Sequence, residues 1–356
     1  MERLPIGSEF AKKCYNIFAE LPDFTIPENI RVLVSRMEDT SFDFEVTNNE
    51  KLGDGVYELH EHIFEFGAII RELRVRKKLS QKTLCDGICS VSKLSKIENE
   101  QLFPDISVAE ALLQRLGISE RIFNFWGNEK ESHLYELKTK IMHCQRNEKL
   151  SREELLKEME PLVSYKDKLY WQYYLYEKAL CTKDKKEKLS LFYEALYVTC
   201  EDFSFSNIME YRLSWQELTI LNAICNYEEF ETPYEDIFLF RKLIEYMNYA
   251  DMGVILKSNI MPVTISLLFI KMYEHSHYYE LTQSAHYLDG DEMKSSIQYL
   301  GIAYFYYCQA LGECESYDNV KLYANYACEI NNLIEWYPNS EALKRYLFED
   351  FGIVID

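Results

Sequence analysis

Glycine and proline are scarce in this sequence, 12 and 8 of 356 residues, against usual frequencies of about 7% and 5%. A sheet protein needs turn residues at short intervals, so the shortage favours long helices joined by short loops. No apolar run reaches the roughly 18 residues of a membrane span, and the opening MERLPIGSEF holds no stretch suited to a signal peptide. A cytoplasmic protein with no membrane partner is the expectation. There is no P-loop, GxSxG, HExxH or GxGxxG, so neither an enzyme nor a cofactor is expected. The ten cysteines include no CxxC pair. Most sit in apolar helical patterns and read as buried thiols acting as small hydrophobes; a redox or metal role is the alternative. His275 and His277 are two apart, which turns them to different helix faces, and no metal site is expected.

What is present is core material and acid. Hydrophobic residues make up 47% and aromatics 15%, with 28 tyrosines, enough for a packed core and against disorder. The net charge is −20, which on average repels nucleic acid. The average hides a reversal. Between Phe66 and Lys96 eight basic residues (Arg71, Arg74, Arg76, Lys77, Lys78, Lys82, Lys93, Lys96) face two acidic ones (Glu72, Asp86). That island carries about +6, leaving about −26 for the rest of the chain.

Residues 1–60 are acidic, twelve acidic against six basic up to His60, and mix two helical patterns with the strand-like FDFEVT. Their role is not legible. Residues 61–119 read as a compact helical domain. Residues 120–356 read as a series of amphipathic helices near 131–146, 151–162, 165–182, 186–200, 207–227, 234–249, 256–274, 291–311, 317–336 and 340–348. Within them an aromatic residue stands three positions before Ala-Leu: Tyr176 before Ala179-Leu180, Phe192 before Ala195-Leu196, Tyr307 before Ala310-Leu311. Such large/small pairing in helix pairs of about 34 residues is the tetratricopeptide theme, although no strict period can be laid across them. The fold class expected is all-α: a helix-turn-helix domain, then a tetratricopeptide-like right-handed helical repeat, preceded by a small mixed region.

The helix-turn-helix reading comes from FGAIIRELRVRKKLSQKTLCDGICSVSKLSKIENEQLFPDISVAEALLQRLGIS. Phe66, Ile69, Ile70 and Leu73 form one apolar stripe. Ser80 can cap a second helix, with Leu84 and Cys85 inward and Gly87 closing it. Ser90 or Ser92 can cap a third, carrying Lys93 and Lys96 outward and Leu94 and Ile97 inward. Two short helices joined by a tight turn, the second polar on its open face, describe the motif; a bundle with a basic solvated face is the plainer alternative.

The segments LSQKTL and SKLSKIEN, followed by Pro104, resemble the lambda-repressor-like (XRE) helix-turn-helix family over about 55 residues. GICSVSKLSKIEN is similar to the Rgg/PlcR type, in which such a domain precedes tetratricopeptide-like helices. The sequence departs from the pattern at Glu100, where glycine is usual, so that turn is expected to differ. It also places about 60 residues before a domain that normally starts the chain. The resemblance implies that Gln81 contacts phosphate or a base edge, that Ser90, Val91, Ser92 and Lys93 face the major groove with Lys96 nearer the backbone, and that Arg74 and Lys78 are backbone contacts. Glu98 and Asn99 are expected to tie down the turn, since a carboxylate beside phosphate is repelled.

The resemblance further implies a regulator, dimeric on an operator with two half-sites in double-stranded DNA, whose helical part binds a short signalling peptide. Asn can donate to and accept from a peptide backbone. Asn222 and Asn259 interrupt apolar helical runs where such proteins tend to carry one, and are the candidate peptide contacts; bracing a neighbouring helix is their alternative role. A tetratricopeptide-type regulator acting on a partner protein, with DNA binding secondary, is the other functional reading.

Overall fold

The computed structural model describes residues 66–118, 129–144, 151–227, 233–250, 252–334 and 337–355. The FDFEVT stretch and the rest of the N-terminal region lie outside them. Among the described residues every regular element is helical. They fall into two compact units, one within His62–His277 and one within Tyr278–Asp356.

The first unit begins with α1 (Phe66–Arg76), α2 (Gln81–Cys85), α3 (Val91–Glu98) and α4 (Ile106–Arg115). Phe66, Ile70, Leu84, Leu94, Ile97, Leu112, Leu113 and Leu116 are buried in one core; each such side chain contributes about 1.5–3 kcal/mol of burial. It continues through α5 (Glu129–His143), α6 (Arg152–Met159), α7 (Lys168–Cys181), α8 (Lys185–Tyr197), α9 (Trp215–Tyr227), α10 (Pro233–Tyr249) and α11 (Val254–Glu274). Each of these helices packs on its neighbours in sequence, the arrangement of stacked helix pairs. The aromatic/alanine theme has a physical basis here. Tyr176 and Phe192 pack with ring centroids 5.7 Å apart, while Ala179 and Ala195 are fully buried where α7 and α8 meet. Gln172 Nε2 of α7 donates to the Ala195 carbonyl at 3.0 Å, an approach that a larger residue at 195 would hinder.

One helix expected at 207–227 is two elements. A 3-10 helix, Phe205–Glu210, is followed by an irregular stretch before α9 starts at Trp215. Ser214 and Glu217 close a reciprocal cap: Ser214 N–H donates to Glu217 Oε2 at 2.6 Å and Glu217 N–H to Ser214 Oγ at 3.4 Å. This S-x-x-E pattern is a sequence signature of a helix start. The apolar spacing of Ile208, Tyr211 and Leu213 ran on through it.

The second unit holds α12 (Tyr278–Thr282), α13 (Asp291–Lys294), α14 (Ile297–Glu313), α15 (Tyr317–Leu333) and α16 (Tyr337–Phe351). The single helix expected at 291–311 breaks at Ser295-Ser296. Tyr304, Tyr307, Tyr323 and Tyr326 interlock between α14 and α15 with centroids 4.9–6.1 Å apart. Ala310 is fully buried. Gly301 lets α15 approach, since a Cβ there would crowd Ile330 and Asn331.

Candidate nucleic-acid interface

Local chemistry sets each turn of the first four helices. Ser80 Oγ accepts from Thr83 N–H at 3.0 Å and Ser90 Oγ from Lys93 N–H at 3.1 Å, so Ser90 rather than Ser92 is the cap of α3. Gly87, at φ +70°, turns the chain between α2 and α3. Beyond α3, Glu100 N–H donates to the Ile97 carbonyl at 2.9 Å and Gln101 N–H to that of Lys96 at 2.8 Å, a Schellman close. Glu100 itself sits at φ +57°. The turn therefore keeps the left-handed conformation that glycine would favour, and does so with a strained side chain. The strain costs about 1–2 kcal/mol, and glycine would add about 0.4–1 kcal/mol of unfolded-chain entropy. Glu100→Gly is expected to stabilise the domain by about 0.5–1 kcal/mol, read as greater hydrogen-exchange protection of α3.

The opening of α3 presents the residues expected to read DNA. Val91 is 43% exposed, and Ser90, Ser92 and Lys96 are exposed. Lys93 is half-buried and reaches Asp105 at 2.5 Å. Lys78 is exposed at φ +55°, in the turn after α1.

Two other expected contacts face inward. Arg74 Nε and Nη2 donate to both oxygens of Glu98, at 2.6 and 2.9 Å, and Nη1 donates to the Leu79 carbonyl at 2.9 Å. The hydrogen bonds to Glu98 raise the guanidinium's pKa against the lowering effect of burial. Gln81 Nε2 donates to Glu98 Oε2 at 2.8 Å. Glu98, with its side chain only 2% exposed, thus joins α1, α2 and α3 at one point. Asn99 Nδ2 donates to the Ser95 carbonyl at 2.8 Å.

The four helices are fastened to the rest of their unit. Arg115, at the end of α4, donates from Nη1 to the carbonyls of Leu84 and Asp86, at 3.2 and 2.5 Å, and from Nη2 to Glu217 Oε1 at 2.9 Å. Both side chains of this ion pair are within 2% of full burial. Burial alone would push the Glu217 carboxyl up, yet Arg115, the Ser214 N–H and the Thr199 hydroxyl hold it below the usual carboxylate range. Trp215 N–H donates to Gln114 Oε1 at 3.2 Å. A Cβ on Gly87 would overlap the Thr199 carbonyl, and one on Gly253 the Gly117 carbonyl.

A cleft of about 420 Å³ opens beside the start of α3. Ser90, Lys93 and Asp105 line one side; Lys130, Glu131 and the run from Lys166 to Tyr170 line the other. Sequence reading missed the second side, because its lysines come from separate segments with unremarkable local charge. Among the described residues no group of three or more His, Cys, Asp or Glu side chains could hold a metal, and the nine described cysteines are all free. No described helix is long and apolar enough to cross a membrane.

Asn222 and Asn259 stand on the packed helices α9 and α11. Asn259 is exposed. Asn222 is 4% exposed, and its buried Oδ1 has no hydrogen-bond partner. A ligand reaches Asn222 only if the helices around it part.

Residues 70–123 match the family model described as Helix-turn-helix. No curated protein matches the chain. Similar solved structures include PlcR of Bacillus thuringiensis in complex with the peptide PapR7 and DNA, 18% identical, covering 79% of this chain and 99% of that one at a TM-score of 0.45. Apo ComR from S. thermophilus is 14% identical, over 81% of this chain and 99% of that one, at 0.45. ComR from Streptococcus vestibularis in complex with its signalling peptide XIP is 15% identical, over 81% and 99%, at 0.42. On the family match, and with capped helices meeting at a glycine turn, this part of the chain is a helix-turn-helix domain.

Proposed function

We propose that the chain is a sequence-specific DNA-binding transcription regulator, not an enzyme, controlled by a short signalling peptide bound by its helical part and acting as a cytoplasmic homodimer. The observation that carries this reading is the exposed, serine-capped opening of α3 within the matched domain. It presents Ser90, Val91, Ser92 and Lys93 as base readers, with Lys78 and Lys96 on phosphates. Gln81 and Arg74 serve through Glu98, setting the angle at which α3 is offered. A second copy supplies the second reading helix, about 34 Å away for successive major grooves. Asn222 and Asn259 are the proposed peptide contacts, and the acidic surroundings favour a neutral or basic peptide.

Selection from a random duplex pool, followed by anisotropy titration, tests the DNA reading. A two-fold repeated site is expected, and Lys93→Gln or Ser92→Ala should change preference at one position by about 1–3 kcal/mol. Absence of salt-sensitive binding, with or without peptide, would overturn it. If a Ser92→Ala/Lys93→Gln variant that no longer bound DNA still regulated a partner protein, the partner-binding reading would take its place.

A further inference from the structure

Four lysines meet where α3 begins, in a chain whose net charge is −20. Lys93 comes from the helix-turn-helix. Lys130 opens α5, and Lys166 and Lys168 flank the start of α7; all four line the same cleft. Three are held by carboxylates: Lys93 by Asp105 at 2.5 Å, Lys130 by Asp167 at 3.1 Å, and Lys168 by Glu201 at the longer distance of 3.6 Å. Lys166 is exposed and forms no ion pair among the described residues. Lys130 and Lys168 keep about half of their side-chain surface in water, at 52% and 43%. Lys130, Lys166 and Lys168 share this cleft with Ser90 and Lys93.

An aromatic side chain also lines the cleft. Tyr170 is 5% exposed and lines it, and its hydroxyl has no partner. That buried hydroxyl lacks a partner, and a phosphate oxygen can pair with it only where the cleft wall yields, so the lysines are the primary contacts. Burial pushes the pKa of this hydroxyl far above its ordinary value, so it keeps its proton and remains a donor. Burial also pushes the neighbouring Glu131 carboxyl up, and the Ile106 N–H donates to it.

We infer that the cleft is a track for the DNA backbone, in which Lys166 and Lys168, with Lys130 beside them, bind phosphates next to the bases read by α3. The helical part of the first unit is then a share of the DNA interface and not only a sensor. This rests on the DNA-binding reading above and adds contacts that the helix-turn-helix alone does not supply.

The test is anisotropy titration of a fluorescein-labelled mixed-sequence duplex of about 40 base pairs, roughly four turns. It uses the full chain between about 50 and 200 mM salt. Each phosphate contact contributes about 0.9 to the slope of log K against log salt. The Lys166→Gln/Lys168→Gln double variant is expected to bind several-fold more weakly and to lose about 2 from that slope, equally on any sequence. Both side chains are exposed, so an unchanged melting temperature should accompany the loss. An unchanged affinity and slope in the double variant, with Lys93→Gln still weakened, overturns the inference and leaves the helix-turn-helix reading intact. A wild-type chain that binds no duplex even at the lowest salt overturns both.

Discussion

Arg115→Ala is expected to lower the stability of the first unit by about 3–5 kcal/mol, the usual result of stripping one partner from a buried ion pair. The loss comes from Glu217, left buried without its counter-charge, and from the Leu84 and Asp86 carbonyls, which lose their donor. Hydrogen exchange across α4 and α9 reads it best, because unfolding of a two-unit chain has no single free energy. Converting both partners to uncharged side chains, Arg115→Met with Glu217→Gln, should recover most of the protection. Full protection in the single variant would show that the pair contributes nothing. The pair also fixes a pH dependence. The Glu217 carboxyl is depressed in the folded state. Its contribution is therefore present above the unfolded value of about 4.3 and fades as pH falls through the lower folded value.

Gly87→Ala should be nearly as damaging, for two separable reasons. A left-handed φ costs an alanine about 1–2 kcal/mol. Forcing a methyl into the Thr199 carbonyl adds about 1–3 kcal/mol of overpacking. Gly352 supplies the control: its φ is +68°, but a Cβ there meets nothing within 4 Å. Gly352→Ala should therefore show the conformational cost alone, and the difference between the losses of hydrogen-exchange protection around the two sites measures the close approach at Thr199. Equal losses for both would remove that approach from the account.

Legibility followed distance along the chain. The caps at Ser80 and Ser90, the inward Leu84, Leu94 and Ile97 and the turn at Gly87 all rest on residues a few positions apart, and sequence spacing carried them. Glu98 as a tie was also readable, since a carboxylate in a basic segment needs a reason to be there. Which cations it would engage was not. Arg74 was read as a phosphate contact because its side of α1 cannot be judged until α3 is packed against it. Ser214 and Glu217 spelled a helix start, but the partner of Glu217 stands 102 residues away, and nothing local foretells it. Asn222 was visible as a polar break in an apolar run; its burial depends on the packing of the helices around α9. The lysines of the cleft were invisible for the same reason, being gathered from α3, α5 and α7.

The fastenings around Arg115, Gln114, Gly87 and Gly117 bear on how the domain meets a duplex. A reading head on a slack tether samples many orientations and gives up that freedom on docking. This one is held on several sides by backbone-to-backbone contact and a buried charge, so its orientational entropy is already lost at folding. Binding then surrenders less freedom per encounter, and the same rigidity narrows the range of DNA geometries it can accept. In the proposed dimer, errors of half-site spacing or phase would have to be absorbed by bending the DNA, whose stiffness makes them expensive. Selectivity in such a molecule lies partly in the distance between sites, written into the protein frame and not into any base contact.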